Sequence, residues 1–378
     1  MSRQEKNLNG SLVWARVDLG RLRRNFAAIR AELRGREVEV LAVVKADAYG
    51  HGMVPVAKTL YAQGARSFGV ANIHEAAELR KALPASRILV LGGFHAAAQA
   101  SLFIRKNITP TLFSLEDAAI LDRRLKKPFA VHVKIDTGMG RLGVWHEDAR
   151  SFFRELKRFK NIHVEGIYTH FSSADGASPA FTLRQYAHFE KALGVARREG
   201  FAPKYLHAAN SLGLLRFKRC HLNLVRPGII LYGINPAKTG KLPKGIRPIL
   251  ELKTRISFLK SVDEGRTLSY GATYATREKT KIATLPVGYS HGYRVGFSNK
   301  ARVLVRGREC PVVGRVTMDQ TLVDVGRVPE VRRWDEVTLI GQEGKNQVQA
   351  RDLAGLTGTI PYEIVCNIHS RIPRIYRG

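Results

Sequence analysis

Cysteine is almost absent from this 378-residue chain. Cys220, Cys310 and Cys366 are odd in number and widely spaced, which excludes a disulfide framework and any C-x-x-C metal or redox pair. A reducing, cytoplasmic compartment is the simplest home for it, and no metal site is expected. Long apolar runs are missing as well. LAVV at 41–44 is typical of them, far too short to span a bilayer, and the polar opening MSRQEKNLNGS has no apolar stretch behind it, so neither export nor membrane insertion is expected. Acidic residues are scarce, with 32 Asp and Glu against 62 Lys and Arg, a net charge of +30. Such a surface attracts polyanions. The basic clusters, however, are dispersed at Arg21 to Arg24, Arg123 to Lys127, Arg216 to Arg219 and Arg332 to Arg333, and no aromatic-interleaved patch accompanies them. A generally basic solvated surface is expected, with no specific nucleic-acid site. No fixed-period repeat or low-complexity linker occurs, and a composition 44% hydrophobic and 25% charged excludes collagen, coiled coil and wholesale disorder.

What the chain does have is two successive grammars. Between about 38 and 228, eight short apolar runs alternate with helical patterns: VEVLAVV, SFGVA, RILVLGG, ITPTLF, FAVHVKI, HVEGIYTHF, KYLHAAN and LNLVRPG. Helical spacing shows at Leu19 to Leu33, at Ile73, Ala76, Ala77, Leu79 and Arg80, and at Leu183, Tyr186, Phe189 and Leu193. Eight strands each trailed by a helix within about 200 residues predict a (β/α)8 TIM-like barrel. From 247 the pattern turns to short strands with period-two alternation, such as ELKTRISFLKSV and EVTLIG, with no long helix before Leu353. The expected organisation is an α/β barrel over residues 12–246, then a mostly-β domain over 247–378. The early strand at 11–19 lies outside the count of eight and can pair with the second domain.

The unusual residues sit at the ends of those strands. Lys45, with Asp47, Tyr49 and His51, follows the first; Gly140 and Arg141 the fifth; His170 the sixth; His207, Asn210 and Ser211 the seventh; Arg226, Pro227 and Gly228 the eighth. In a barrel these ends converge on one rim, where active sites lie. A lysine among Val43, Val44 and Ala46 is partly desolvated, which lowers its pKa and suits Schiff-base formation. Ser211 at a helix start and the backbone at Gly228 are places for a phosphate. A lysine, a phosphate cradle and nearby arginines describe a pyridoxal phosphate (PLP) site. Alone, each residue has a plainer reading: a solvated lysine, core histidines, a turn. DTGMGRLG has neither Walker spacing nor a strict G-x-G-x-x-G, so it is a weak nucleotide signal.

From WARVDL at 14 to RIPRIY at 371, the chain resembles the alanine racemase family. The blocks are VVKADAYGHG (43–52), VKIDTGMGRLG (133–143), THF (169–171), HAANS (207–211), RPGI (226–229), LSYGATY (268–274), PVGY (286–289), TMDQ (317–320) and IPYEIVC (360–366). The resemblance implies a cytoplasmic PLP enzyme that interconverts L- and D-alanine for peptidoglycan, as a head-to-tail homodimer with shared sites. Lys45 would carry PLP and act as the base on one face of the substrate Cα. Tyr270 from the other subunit would be the base on the opposite face. Tyr49, Ser211, Tyr362 and the backbone at Gly228 and Ile229 would hold the phosphate, with Asn210 beside them. Arg226 would face the pyridine nitrogen, supported by His170 and His207. Arg141 would contact the phenolic oxygen and the substrate carboxylate, to which Met318 would offer its N–H. Lys134 matches a lysine that is carbamylated in some members.

Three departures from the family pattern stand out. GYSHG replaces GYADG, placing His291 where an acid is usual; an arginine comes one position early, as Arg294 before Val295; and Thr317 replaces a common cysteine. The first two fall in the family's substrate corridor and put substrate range in question. A broader amino-acid or serine racemase is the nearest alternative reading. An amino-acid decarboxylase on a related barrel fits VVKADAYGHG and SYGATY less well. A non-catalytic PLP-carrying or polyanion-binding protein would have no use for both Lys45 and Tyr270.

Overall fold

The computed structural model describes residues 10–35, 37–94, 97–176, 178–237 and 241–378; most of the polar opening, residues 1–9, lies outside them. The eight apolar runs are the eight parallel strands of a barrel. They are Glu39–Val43, Ser67–Val70, Arg87–Val90, Thr109–Leu112, Phe129–Asp136, Ile162–Tyr168, Tyr205–His207 and Leu224–Val225. Each pairs with the next from the first to the seventh, and the eighth returns to the first through Leu224 opposite Glu39. A single bridge, Asn210 to Arg226, joins the seventh strand's end to the eighth's. Ser67–Val70 is buried along its whole length, as a parallel strand covered on both faces must be.

Several of the barrel helices start where a side chain caps them. Asp18 accepts from Arg21 N–H at 2.6 Å to open Leu19–Ala31; Asn72 opens Ile73–Ala82 and Ser114 opens Leu115–Asp122 in the same way. Tyr186, Phe189 and Leu193 of the helix Ala180–Arg198 are buried as their spacing predicts. Leu183, grouped with them on the same spacing, is exposed, because the buried face of this helix runs through Thr182, Gln185, Tyr186 and Phe189 instead. A short extra strand, Val144–Trp145, pairs with Ile135 and Asp136.

Beyond residue 247 the chain forms β structure in three sheets. The largest takes in the early strand Val13–Asp18, which lies antiparallel to Leu250–Arg255 and parallel to Arg374–Arg377. The two ends of the chain are thereby stitched into one sheet. A helix near the C-terminus, Pro361–Cys366, then lies against the barrel rim. At Gly50, where φ is +80°, a Cβ would sit 2.3 Å from Val365 O, so only glycine lets this helix touch the turn that follows Lys45. No helix among the described residues is long and apolar enough to cross a membrane.

Candidate active site

Lys45 leaves the first strand on an unusual turn. Ala46, Asp47, Ala48 and Tyr49 all have φ between +52° and +56°, a stretch of left-handed backbone that costs roughly 1–2 kcal/mol for each non-glycine residue. Side-chain carboxylates, one from elsewhere and one from the turn itself, hold it. Glu75 accepts from Ala46 N–H at 2.8 Å and from Ala71 N–H at 2.7 Å, and Asp47 accepts from Met53 N–H at 2.7 Å. The turn brings Lys45 and Tyr49 to the same cavity.

That cavity, about 340 Å³, is lined by Lys45, Tyr49, Lys134, Arg141, Tyr168, His170, Asn210, Ser211, Arg226, Gly228 and Tyr362, with apolar residues between them. Ten of the sequence-stated site residues therefore meet in one place. Ile229 is wholly buried behind the rim and His207 lies beneath it against Arg226. Tyr270 and Met318 do not line the cavity of their own chain; they are 69% and 54% exposed.

The lining carries four cations and no carboxylate. Burial first, then Arg141, pulls the Lys45 amine below its ordinary pKa, so more of it is neutral and nucleophilic. Lys134 is brought down to about 8 by burial and by Arg141 and Arg226. Arg226 is fully buried and brought down to about 10 by desolvation. It donates to Thr169 O at 2.7 Å, to Ala208 O at 3.1 Å and to His207 Nδ1 at 2.8 Å, with no carboxylate among these partners.

The site fits PLP in its donor set and in its shape. A dianionic phosphate and a phenolate need cations and hydroxyls, which this lining supplies. At Gly228 a Cβ would lie 2.5 Å from the Tyr49 hydroxyl, so any other residue would fill the cradle between them. Gly228 N–H donates to Ser211 Oγ at 2.9 Å, which leaves the serine hydroxyl hydrogen to donate to a ligand. Asn210 caps the helix Ser211–Arg216 by accepting from Gly213 N–H at 2.9 Å, and so sets the direction of Ser211.

The glycine-rich loop has a different task from phosphate binding. The N–H groups of Gly138, Met139, Gly140 and Arg141 all donate to the Asp136 carboxylate, at 2.9, 2.8, 3.1 and 3.0 Å. Asp136 is thus the hub that aims Arg141 into the cavity, a residue that motif reading alone passed over. Burial opposes its ionisation, but these four donors outweigh it and hold the carboxyl below its usual range. Its stabilising contribution is therefore present above the normal carboxylate range and disappears only as acid protonates it. Asp136→Asn places an amide donor against one of these N–H groups, leaving unmade a bond worth about 1–3 kcal/mol. A lower melting temperature and a raised KM for substrate are expected, read by calorimetry and steady-state kinetics.

The three departures also have places. Arg294 pairs with Glu363, next to Tyr362, and so ties the segment around residue 294 to the helix that supplies that tyrosine. His291 Nδ1 accepts from Gly288 N–H at 3.3 Å. Thr317 Oγ1 donates to Gln320 O at 3.0 Å and accepts from Gln320 N–H at 3.1 Å, closing the turn that carries Met318. These two bonds give Thr317 a local role at that turn beyond filling the space of a cysteine.

Comparison with known proteins agrees with this geometry at both ends of the chain. The alanine racemase N-terminal domain matches residues 17–236 and the alanine racemase C-terminal domain matches 249–376. This chain belongs to the alanine racemase family. Alanine racemases from Halothermothrix orenii and Geobacter sulfurreducens are 43% and 44% identical to it, over 97% and 96% of both chains. The solved alanine racemase from Bacillus anthracis, with bound L-Ala-P, superposes with a TM-score of 0.90 at 35% identity, over 97% of this chain and 95% of that one. A Bartonella henselae alanine racemase with covalently bound pyridoxal phosphate gives 0.88 at 29% identity, over 97% of this chain and 100% of that one.

Proposed function

We propose that this chain interconverts L- and D-alanine with PLP held on Lys45, in a homodimer whose active sites each draw on both subunits. The observation that carries the reading is the cavity with four cations, no carboxylate and a desolvated lysine at the end of the first barrel strand. When bound, PLP supplies an electron-withdrawing ring that acidifies Cα of the amino acid it carries.

The chain's own residues then divide the work. Tyr49, Ser211 and Tyr362, with the backbone at Gly228 and Ile229 and Asn210 behind Ser211, would hold the phosphate. Arg226 would face the ring nitrogen; a guanidinium only donates, which keeps a proton off that nitrogen and limits how long charge is stored in the ring. His170 and His207 support Arg226. Arg141 would grip the phenolic oxygen and the substrate carboxylate, with Lys134, whose amine at about 8 is nucleophilic enough near neutral pH to take up CO2, as its neighbour. Lys45 moves the proton on one face of Cα.

The opposite face needs a second base. Tyr49, Tyr168 and Tyr362 line the cavity, but burial raises all three hydroxyls, the last two to about 12, and disqualifies them as bases. Tyr270 and Met318 are both exposed on the β domain, and Ser269 Oγ, beside Tyr270, donates to Arg315 O at 2.6 Å, three residues before Met318. A second copy of the chain would bring both to the cavity, Tyr270 as base and Met318 N–H to the substrate carboxylate. In this reading residues 12–246, apart from the strand Val13–Asp18, form the cofactor barrel, and 247–378 together with that strand form the domain lent to the partner. A cytoplasmic location rests on the three free thiols, and supply of D-alanine for peptidoglycan is the corresponding role.

Chiral chromatography of a panel of L-amino acids, incubated with the purified PLP-loaded protein, tests the reading. Alanine should approach equal amounts of the two enantiomers, ahead of serine. Loaded protein that leaves L-alanine unchanged would overturn it, and faster racemisation of serine would reassign the substrate.

A further inference from the structure

A row of hydrogen-bonding groups leaves the active site through the floor of the barrel. Arg226 Nη1 donates to His207 Nδ1 at 2.8 Å, His207 Nε2 lies 2.9 Å from His132 Nδ1, and His132 Nε2 faces Glu165 Oε2 at 3.8 Å. Guanidinium has only donors, so His207 Nδ1 must accept, and a neutral His207 carries its proton on Nε2. That proton makes His132 Nδ1 an acceptor in turn. A neutral His132 therefore carries its own proton on Nε2, turned toward the carboxylate. Burial and the Arg226 charge hold both imidazoles below their ordinary range, hence neutral, although Glu165 pulls His132 the other way.

The row is built into the sequence. Gly166, beside Glu165 on the sixth strand, lacks a side chain where the His132 ring lies; a Cβ there would sit 2.4 Å from Cε1 of that ring. Tyr168 stacks on His207 with centroids 4.6 Å apart, and Tyr205 stacks on His132 at 6.0 Å. Glu165 lines a small opening with Ser67, Arg87, Thr109, His132 and Tyr205, which shares no residue with the cofactor cavity. Arg226, a buried cation with no carboxylate hydrogen-bonded to it among the described residues, thus reaches Glu165 through two imidazoles.

We propose that Glu165 is a positioning residue for the reaction: its charge, passed through His132 and His207, strengthens the acceptor that holds Arg226 and so sets how firmly that guanidinium donates into the cavity. This rests on the reading that Arg226 faces the ring nitrogen of PLP. At 3.8 Å the last link, from a neutral imidazole N–H to a carboxylate, is longer than a direct hydrogen bond, so its influence is that of the Glu165 charge on the imidazole dipole and should scale with that charge.

The test uses the PLP-loaded protein with ¹⁵N-labelled histidine, whose ring nitrogens report tautomer by NMR. In the wild type both His132 and His207 should be neutral and protonated on Nε2. Glu165→Ala should move the His132 signals and, through them, His207 Nδ1, and lower kcat for alanine about 2- to 30-fold with KM nearly unchanged. Glu165→Gln, uncharged but still an acceptor, should fall between. In a His132→Leu background, Glu165→Ala should change kcat no further; His132→Asn serves if the leucine variant does not fold. Unmoved His207 signals in Glu165→Ala, an Nδ1-protonated tautomer, or an equal loss of kcat in both backgrounds would overturn the proposal. Failure of the PLP reading would show separately, as no borohydride-fixed PLP on Lys45 while the histidine couplings persist.

Discussion

Lys45→Ala should abolish alanine racemisation, by about 10⁴-fold or more, and with it the PLP that borohydride fixes to the chain. In the proposed reading two roles are lost together, since the same amine would hold the cofactor and move the proton on one face of Cα. The competing amine is Lys134, in the same cavity and brought down to about 8. Peptide mapping after reduction therefore decides the matter: the wild-type adduct belongs on the peptide containing Lys45, and in the variant no adduct should form on Lys134. The fold should survive, and its melting temperature should hold or rise, because the substitution removes one of four like charges from a partly buried cluster. A PLP adduct on Lys134 that still turns over alanine would move the assignment there. A chain that unfolds would be recognised by its circular dichroism before any activity was interpreted.

Strand-period patterning located all eight barrel strands because parallel strands buried on both faces are short, uninterrupted apolar runs. The rim residues followed from that count, since the ends of parallel strands must meet. The supporting groups were not legible in the same way. Asp136 reads as one more polar residue in a glycine-rich loop, and its role appears only when four backbone N–H groups turn back on it. Glu75 lies on a surface-like helix start, yet holds the turn after Lys45 from 29 residues away. No propensity announces four left-handed residues in KADAYG, because tertiary contacts impose them against local preference. Gly166 likewise looks like a weak point in a strand until the His132 ring is seen in the space it leaves.

Mixing inactive chains should restore activity. Tyr270 stands on a tight turn with Ser269, Gly271 and Ala272 at φ of +63°, +73° and +47°, a costly backbone that presents an exposed ring away from its own cavity. Such an arrangement suits a residue that acts on a second copy. Tyr270→Phe removes one hydroxyl from an exposed side chain, so stability should shift by no more than about 0.5 kcal/mol. Racemisation should nevertheless fall by about 10²- to 10⁴-fold, the range for loss of a positioned acid or base, while PLP remains attached to Lys45. Exchange of Cα–H for solvent deuterium should then persist for one enantiomer of alanine only, because a single face keeps its base. Combined with Lys45→Ala chains and allowed to exchange subunits, half of the dimers at equal mixing are hybrids, and each hybrid has one intact site of two. Activity should therefore recover to about one quarter of the wild-type value. Hybrids proven by mass spectrometry but inactive would place both bases in one chain, and deuterium exchange from both enantiomers would leave Lys45 as the sole base.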